Sequence, residues 1–80
     1  MEFQSGQVVL AKAGREKGRL LVVTKTDETR VFVCDGKERP LERPKAKNPR
    51  HLQKTTMTLD ENAMATNRKL KKALGELMRK

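Results

Sequence analysis

The stretch that most constrains this chain is Val8 to Gly36, and within it the turn Ala13-Gly14-Arg15-Glu16-Lys17-Gly18. Gln7-Val8-Val9-Leu10-Ala11-Lys12 precedes the turn and Arg19-Leu20-Leu21-Val22-Val23-Thr24 follows it. Short runs rich in Val and Leu on either side of a glycine-bearing turn fold as an antiparallel hairpin. The unbroken Leu20-Leu21-Val22-Val23 run predicts a second strand, Arg19 to Lys25, partly covered on both faces. Thr26-Asp27-Glu28-Thr29 is a polar break of hairpin length. Arg30 to Cys34 then reads as a third strand, with Val31 and Val33 on one face and Phe32 and Cys34 on the other. Asp35-Gly36 is the signal for a type I′ turn. Three strands in a meander leave bare edges that pair with other chains unless the sheet closes or is covered. A small barrel meets that demand.

From Lys37 to Lys54 the character changes. Pro40, Pro44 and Pro49 exclude helix and weaken any central strand. Lys37 to Arg43 is expected to form a short edge strand anchored by Leu41, and a closing strand is expected between Leu52 and Met57. Segment 37–54 holds seven Lys and Arg against Glu38 and Glu42, more than half of the chain's net charge. Beyond it, Thr58 or Asp60 is placed to cap a C-terminal helix, with Glu61 completing a capping box. Ala63 and Met64, then Leu70, Ala73, Leu74, Leu77 and Met78, recur at helical spacing as one apolar face. Arg68, Lys69, Lys71, Lys72, Arg79 and Lys80 crowd the remainder, and Gly75 weakens the last turns. The expected division is 1–59 for the β module and 60–80 for an amphipathic basic helix.

Eighty residues allow one small domain with a marginal core. With two aromatics, Phe3 and Phe32, there is little material for an enclosed apolar active site, so a surface-binding module is expected. The net charge of +9 concerns partners: nucleic acid first, an anionic membrane surface second. No apolar run approaches the ~20 residues needed to span a bilayer. Residues 1–6 lack the pattern of a secretory signal, which gives a cytoplasmic expectation. The single Cys34 agrees, since one thiol cannot staple a secreted domain.

Little else carries chemistry. No zinc, Walker A or Rossmann spacing occurs, and no metal or cofactor is expected. Cys34 has no second cysteine and reads as buried. The only histidine, His51, either stacks on a base or serves the structure. Asp27-Glu28 and Asp60-Glu61 read as turn and helix-start residues. The chain lacks the parts of an enzyme.

Two stretches can bind a polyanion. In the first turn, Arg15 and Lys17 lie between glycines that tolerate positive φ and have no Cβ to hold a ligand away. The alternative is a solvated hairpin tip. The second stretch is Lys45-Ala46-Lys47-Asn48-Pro49-Arg50-His51, either a solubilising loop or a phosphate-binding one; its proline lowers the entropy of ordering on binding.

The pattern Val8-x-Leu10-x-Lys12-x-Gly14-x-x-Lys17-Gly18, then Leu20-x-Val22-Val23 and Arg30-Val31-Phe32-Val33, resembles a KOW motif. With Asp35-Gly36-Lys37, Pro40, Leu41, Pro44 and Lys45-Ala46-Lys47-Asn48, it is most similar to KOW-containing large-subunit ribosomal proteins of the L-fourteen-e type. The resemblance covers roughly residues 6 to 54. Many KOW motifs carry a further glycine where this chain has Leu21, so no contact is carried over there. The resemblance implies a mainly β fold: a small SH3-like barrel of about five short antiparallel strands, with the C-terminal helix appended. It also implies a non-catalytic, ribosome-associated RNA binder that docks structured ribosomal RNA; with almost no aromatics for stacking, recognition of RNA shape with weak sequence preference is expected. The expected RNA-binding residues are Lys12, Gly14, Arg15, Lys17, Gly18, Arg19, Arg43, Lys45, Lys47 and Arg50. The rival expectations are a protein-interaction module of a translation or transcription complex, with ribosomal proteins as partners, and self-association through the Leu70 stripe.

Overall fold

Leu21, Val22 and Val23 point alternately to the two sides of one strand, and all three are fully buried. A sheet with both faces apolar needs cover on both. The computed structural model, which describes residues 3–79, supplies it in two different ways. Met1, Glu2 and Lys80, included in the expected ranges, lie outside the described residues. The elements are β1 (Gln7–Ala11), β2 (Leu20–Thr26), β3 (Val31–Cys34), β4 (Lys45–Lys47), a 3-10 turn (Pro49–His51), β5 (Leu52–Thr58) and α1 (Asn67–Met78). The strands form one antiparallel sheet in the order β4-β3-β2-β1-β5.

One face gathers Val9, Ala11, Leu21, Val23, Val31, Val33 and Leu52, with Phe3 against its margin. Among the described residues no helix residue belongs to this cluster, yet all its members are nearly or wholly excluded from solvent. The sheet therefore curls and covers this face with itself. Two irregularities help it bend: the register shifts between Val23 and Lys25 on β2, and again where Gln7–Val9 of β1 meets β5. Such bulges sharpen the local twist of a strand. At the first, Thr24 Oγ1 donates to the Phe32 carbonyl at 3.2 Å. At the second, Thr55 Oγ1 donates to the Val8 carbonyl at 2.7 Å. No ladder joins β4 to β5 among the described residues. These edge strands are instead linked through Asn48 and the 3-10 turn, so the expected barrel is a curled sheet without a closing ladder.

The opposite face, Val8, Val22 and Cys34, is covered by Leu70 and Leu74 of α1. Leu20, Leu41, Met57, Leu59, Met64 and Leu77 fill the margin. Burying each helix leucine contributes about 1.5–3 kcal/mol. The Leu70 stripe is thus used within the chain, which removes it as a ready surface for self-association.

Several expectations are corrected. The helix does not begin near residue 60. Asp60 Oδ1 accepts from Ala63 N at 2.9 Å and stabilises only an isolated turn. The helix is capped at Thr66, whose side chain accepts from Lys69 N at 3.1 Å. Thr and Asn are poor helix-interior residues and good boundary ones, and Thr66-Asn67 puts the boundary there. Gly75 does not end the helix, which continues to Met78. Lys37 to Arg43 is a loop, and the edge strand is Lys45–Lys47. Nor is Asp35-Gly36 a type I′ turn, because that turn requires positive φ at both residues and only Gly36 has it, at 80°. Asp35 Oδ1 instead accepts from Lys37 N and Arg39 N, each at 2.9 Å, turning the chain by a side-chain contact.

Gly36 also seats the helix. A Cβ there would overlap the Asn67 carbonyl oxygen and lie 3.0 Å from Lys71 N. Asn67 fastens the same junction: its Oδ1 accepts from Leu41 N and its Nδ2 donates to Glu42 Oε1, both at 2.7 Å. Gly18 has nearly the same φ, 86°, but open space where its Cβ would be. Gly18→Ala should therefore cost only the backbone penalty, about 1–2 kcal/mol. Gly36→Ala should cost clearly more, because α1 must shift. Urea midpoints of the two variants check this, and equal losses would mean that the helix yields freely at Asn67.

Candidate nucleic-acid interface

The loop from Lys12 to Arg19 must return the chain from β1 to β2. It does so with Gly14 and Gly18 at φ 85° and 86°. Lys17 N donates to the Gly14 carbonyl at 3.2 Å, and Gly18 N to the Ala11 carbonyl at 2.9 Å. Arg15 and Lys17 project into solvent. Glu16, between them, does the opposite and is 1% exposed.

Burial pushes the Glu16 carboxyl up, but two hydrogen-bonded cations outweigh that and hold its pKa at about 2. Arg39 Nε donates to Oε1 at 2.8 Å, and Lys47 Nζ donates to Oε2 at 3.2 Å. Lys47 Nζ also donates to the Ala13 carbonyl at 3.2 Å. Since Lys47 is only 7% exposed, it belongs to this buried triad. Its expected role as a phosphate contact is corrected accordingly: its charge is already matched inside the protein. The first turn is likewise more than a solvated tip, because its central residue ties the loop to β4 and to the β3–β4 loop.

Over this triad lies an open groove of about 640 Å³. Gly14 and Arg15 form one wall, Thr29 and Arg30 a second, and Lys45, Asn48 and His51 a third. Lys12 and Arg50 flank this end: both are exposed, and Lys12 N donates to the His51 carbonyl at 2.8 Å. Asn48 Oδ1 accepts from Arg50 N at 2.9 Å and fixes the 3-10 turn that carries His51.

Of the expected residues, the fold brings Gly14, Arg15, Lys45 and Lys47 together in one groove. Lys17 and Gly18 are exposed on the same loop but outside its lining. Arg19 lies elsewhere, 3.4 Å from Glu38, and Arg43 lines a separate depression with Lys37 and Arg39. Arg30 was missed by sequence reasoning, which took it as the start of β3. A cation next to a polar turn was the available signal. Nothing in the sequence marked Glu16 for burial. Asp27, in the neighbouring turn, accepts from Thr29 N at 2.9 Å and Arg30 N at 2.7 Å. Those backbone hydrogen bonds lower its pKa and hold Arg30 beside the groove.

Away from the groove, burial pushes the Cys34 thiol up to about 12, with Asp35 and Glu42 adding to the shift. A neutral, enclosed thiol is a poor nucleophile.

No family model matches this sequence, and no curated protein matches it. Among the described residues, no helix is long and apolar enough to cross a membrane.

The triad sets an acid limit. Glu16 has a folded pKa of about 2 against an ordinary 4.5, so the unfolded chain takes up the proton first as pH falls. Its contribution is complete above about pH 4.5 and is lost as pH drops toward 2. Glu16→Gln should lose roughly 3–5 kcal/mol at neutral pH by leaving Lys47 buried without a counter-charge. It should also show a shallower fall in acid than the unchanged chain, and urea melts across pH 2 to 7 measure both. Cys34 should react with a thiol reagent only through global opening, so its labelling rate should track unfolding stability. Fast labelling under native conditions would show a separate local opening of the helix.

Proposed function

We propose that this protein is a non-catalytic RNA-binding module of the cytoplasm, ribosome-associated, which docks structured ribosomal RNA through the groove at Arg15, Arg30 and Lys45. The observation that carries the reading is the convergence of cations from two turns, Arg15 and Arg30, and from the edge strand, Lys45, on one open groove, over a carboxylate whose charge is already neutralised from within. A groove of this kind is suited to a phosphate backbone, which is held by cations on a wide surface and gains affinity by counterion release. Gly14 leaves the loop backbone accessible beside Arg15. The KOW resemblance points the same way and supports ribosomal RNA as the target.

Few groups here can read base edges, so recognition rests on the shape of the RNA. Phosphate contacts fix position without reporting sequence. His51, exposed at the groove wall, is placed to stack on a base.

Arg15, Arg30 and Lys45 line the groove, Lys12 and Arg50 are exposed beside its lining residues Ala13 and His51, and none of the five has a described salt bridge of its own. About five neutralised phosphates give a slope of log affinity against log salt of roughly −3.5 to −4.5. Arg30→Ala and Lys45→Ala should each weaken binding to a structured RNA and reduce that slope by about 1. Fluorescence anisotropy over a salt series reads both quantities, and a flat salt response would remove the proposal.

A further inference from the structure

Gly75 sits inside α1 without a structural reason. Its φ is not positive, and a Cβ there would meet no atom within 4 Å. Glycine in a helix interior is destabilising relative to alanine, so this chain forgoes stability to keep that surface bare. Gly75 and Lys71 are shared by two depressions that meet on the helix. One is a slot of about 230 Å³ between α1 and the start of β2, with Leu20, Leu74 and Met78 as its apolar side and Arg19 and Lys37 at its rim. The other, of about 450 Å³, lies along the outer helix surface and is bordered by Arg68, Lys72 and Arg79, with Glu76 as its one carboxylate. Met78 is 53% exposed, the one large apolar side chain so open among the described residues.

We infer that this surface is a second RNA contact that takes an unpaired nucleotide: the base lies in the slot against Leu20, Leu74 and Met78, and the backbone crosses the helix at Gly75 toward Lys71, Arg68 and Lys72. The inference rests on the RNA-binding reading above and adds the form of RNA recognised. The slot is smaller than the ~300–1,000 Å³ of sites for drug-sized ligands, so it accommodates a single flat ring. The cations around it select a ring joined to phosphates. Asp35, also at the slot, is turned to the amides of Lys37 and Arg39, and Glu38 pairs with Arg19. A membrane is a poor occupant, because this face carries no aromatic anchor.

The test uses two labelled RNA hairpins that differ only by one bulged nucleotide, with the full chain and its Gly75→Ala and Gly75→Leu variants. The unchanged chain should prefer the bulged hairpin by about fivefold or more, the gain from covering one face of a base with the apolar side chains Leu20, Leu74 and Met78. Gly75→Ala should raise the melting temperature by roughly 4–8 °C, since the site is open and the helix gains propensity. Gly75→Leu should fold equally well, fill the slot and cancel the preference while leaving affinity for the plain hairpin intact. Equal binding of both hairpins by the unchanged chain, or a preference that survives Gly75→Leu, overturns the inference. An Arg15→Glu/Lys45→Glu variant should weaken both hairpins alike. If it weakens neither, the groove reading fails while the Gly75 result stands, and binding of neither hairpin by the unchanged chain overturns both.

Discussion

A single buried carboxylate organises the groove end of this molecule. Glu16 joins three pieces of chain that have little apolar material of their own: the first turn, the β3–β4 loop through Arg39, and β4 through Lys47. A three-residue edge strand of sequence Lys-Ala-Lys has weak reason to hold to a sheet. Pairing Lys47 inside the protein gives it one, and leaves Lys45 directed to the groove. The arrangement is vulnerable for the same reason that it is specific, since a buried ion pair is costly once one member is removed.

The two sides of the sheet divide the remaining tasks. The curled side buries its own residues and so needs no partner element, which leaves the turns around its end available to carry charge. The other side uses α1 for cover. That helix spends Leu70 and Leu74 on the sheet and presents Arg68, Lys69, Lys71 and Lys72 outward. Positive charge therefore gathers at the groove and along the helix, with a third cluster at Lys37, Arg39 and Arg43.

The strands were the legible part of the sequence. Alternation and β-branched runs located β1, β2 and β3 to within a residue or two, and assigned Val31 and Val33 to a different face from Cys34. Less legible were features decided by side chains reaching across the fold. Asp35-Gly36 suggested a tight hairpin, but the Asp35 carboxylate captured two amides and a longer loop formed. Thr58 and Asp60 have the chemistry of a helix start, yet Leu59 N is bonded to the Gly6 carbonyl at 2.7 Å, and Thr66 provides the cap further on. Lys45 to Lys47 has no strand signature at all; its place comes from β3 on one side and Glu16 beneath. Within the site, the cationic turn and segment were readable as composition, whereas which of their charges face the groove and which are consumed inside depended on long-range pairing.

The double-sided burial of β2 also bears on how the chain finds its register. Where one face of a strand is apolar and the other polar, a slip by one residue is penalised at every position. Here Leu21, Val22 and Val23 would exchange apolar surroundings for other apolar surroundings, so oiliness alone discriminates poorly between the native hairpin and a misaligned one. The charged turn supplies the missing discrimination: in a slipped alignment Glu16 would lose its pairing with Arg39 and Lys47. The acid side chain thus acts as a proofreading mark, making the misfolded hairpin a shallow trap.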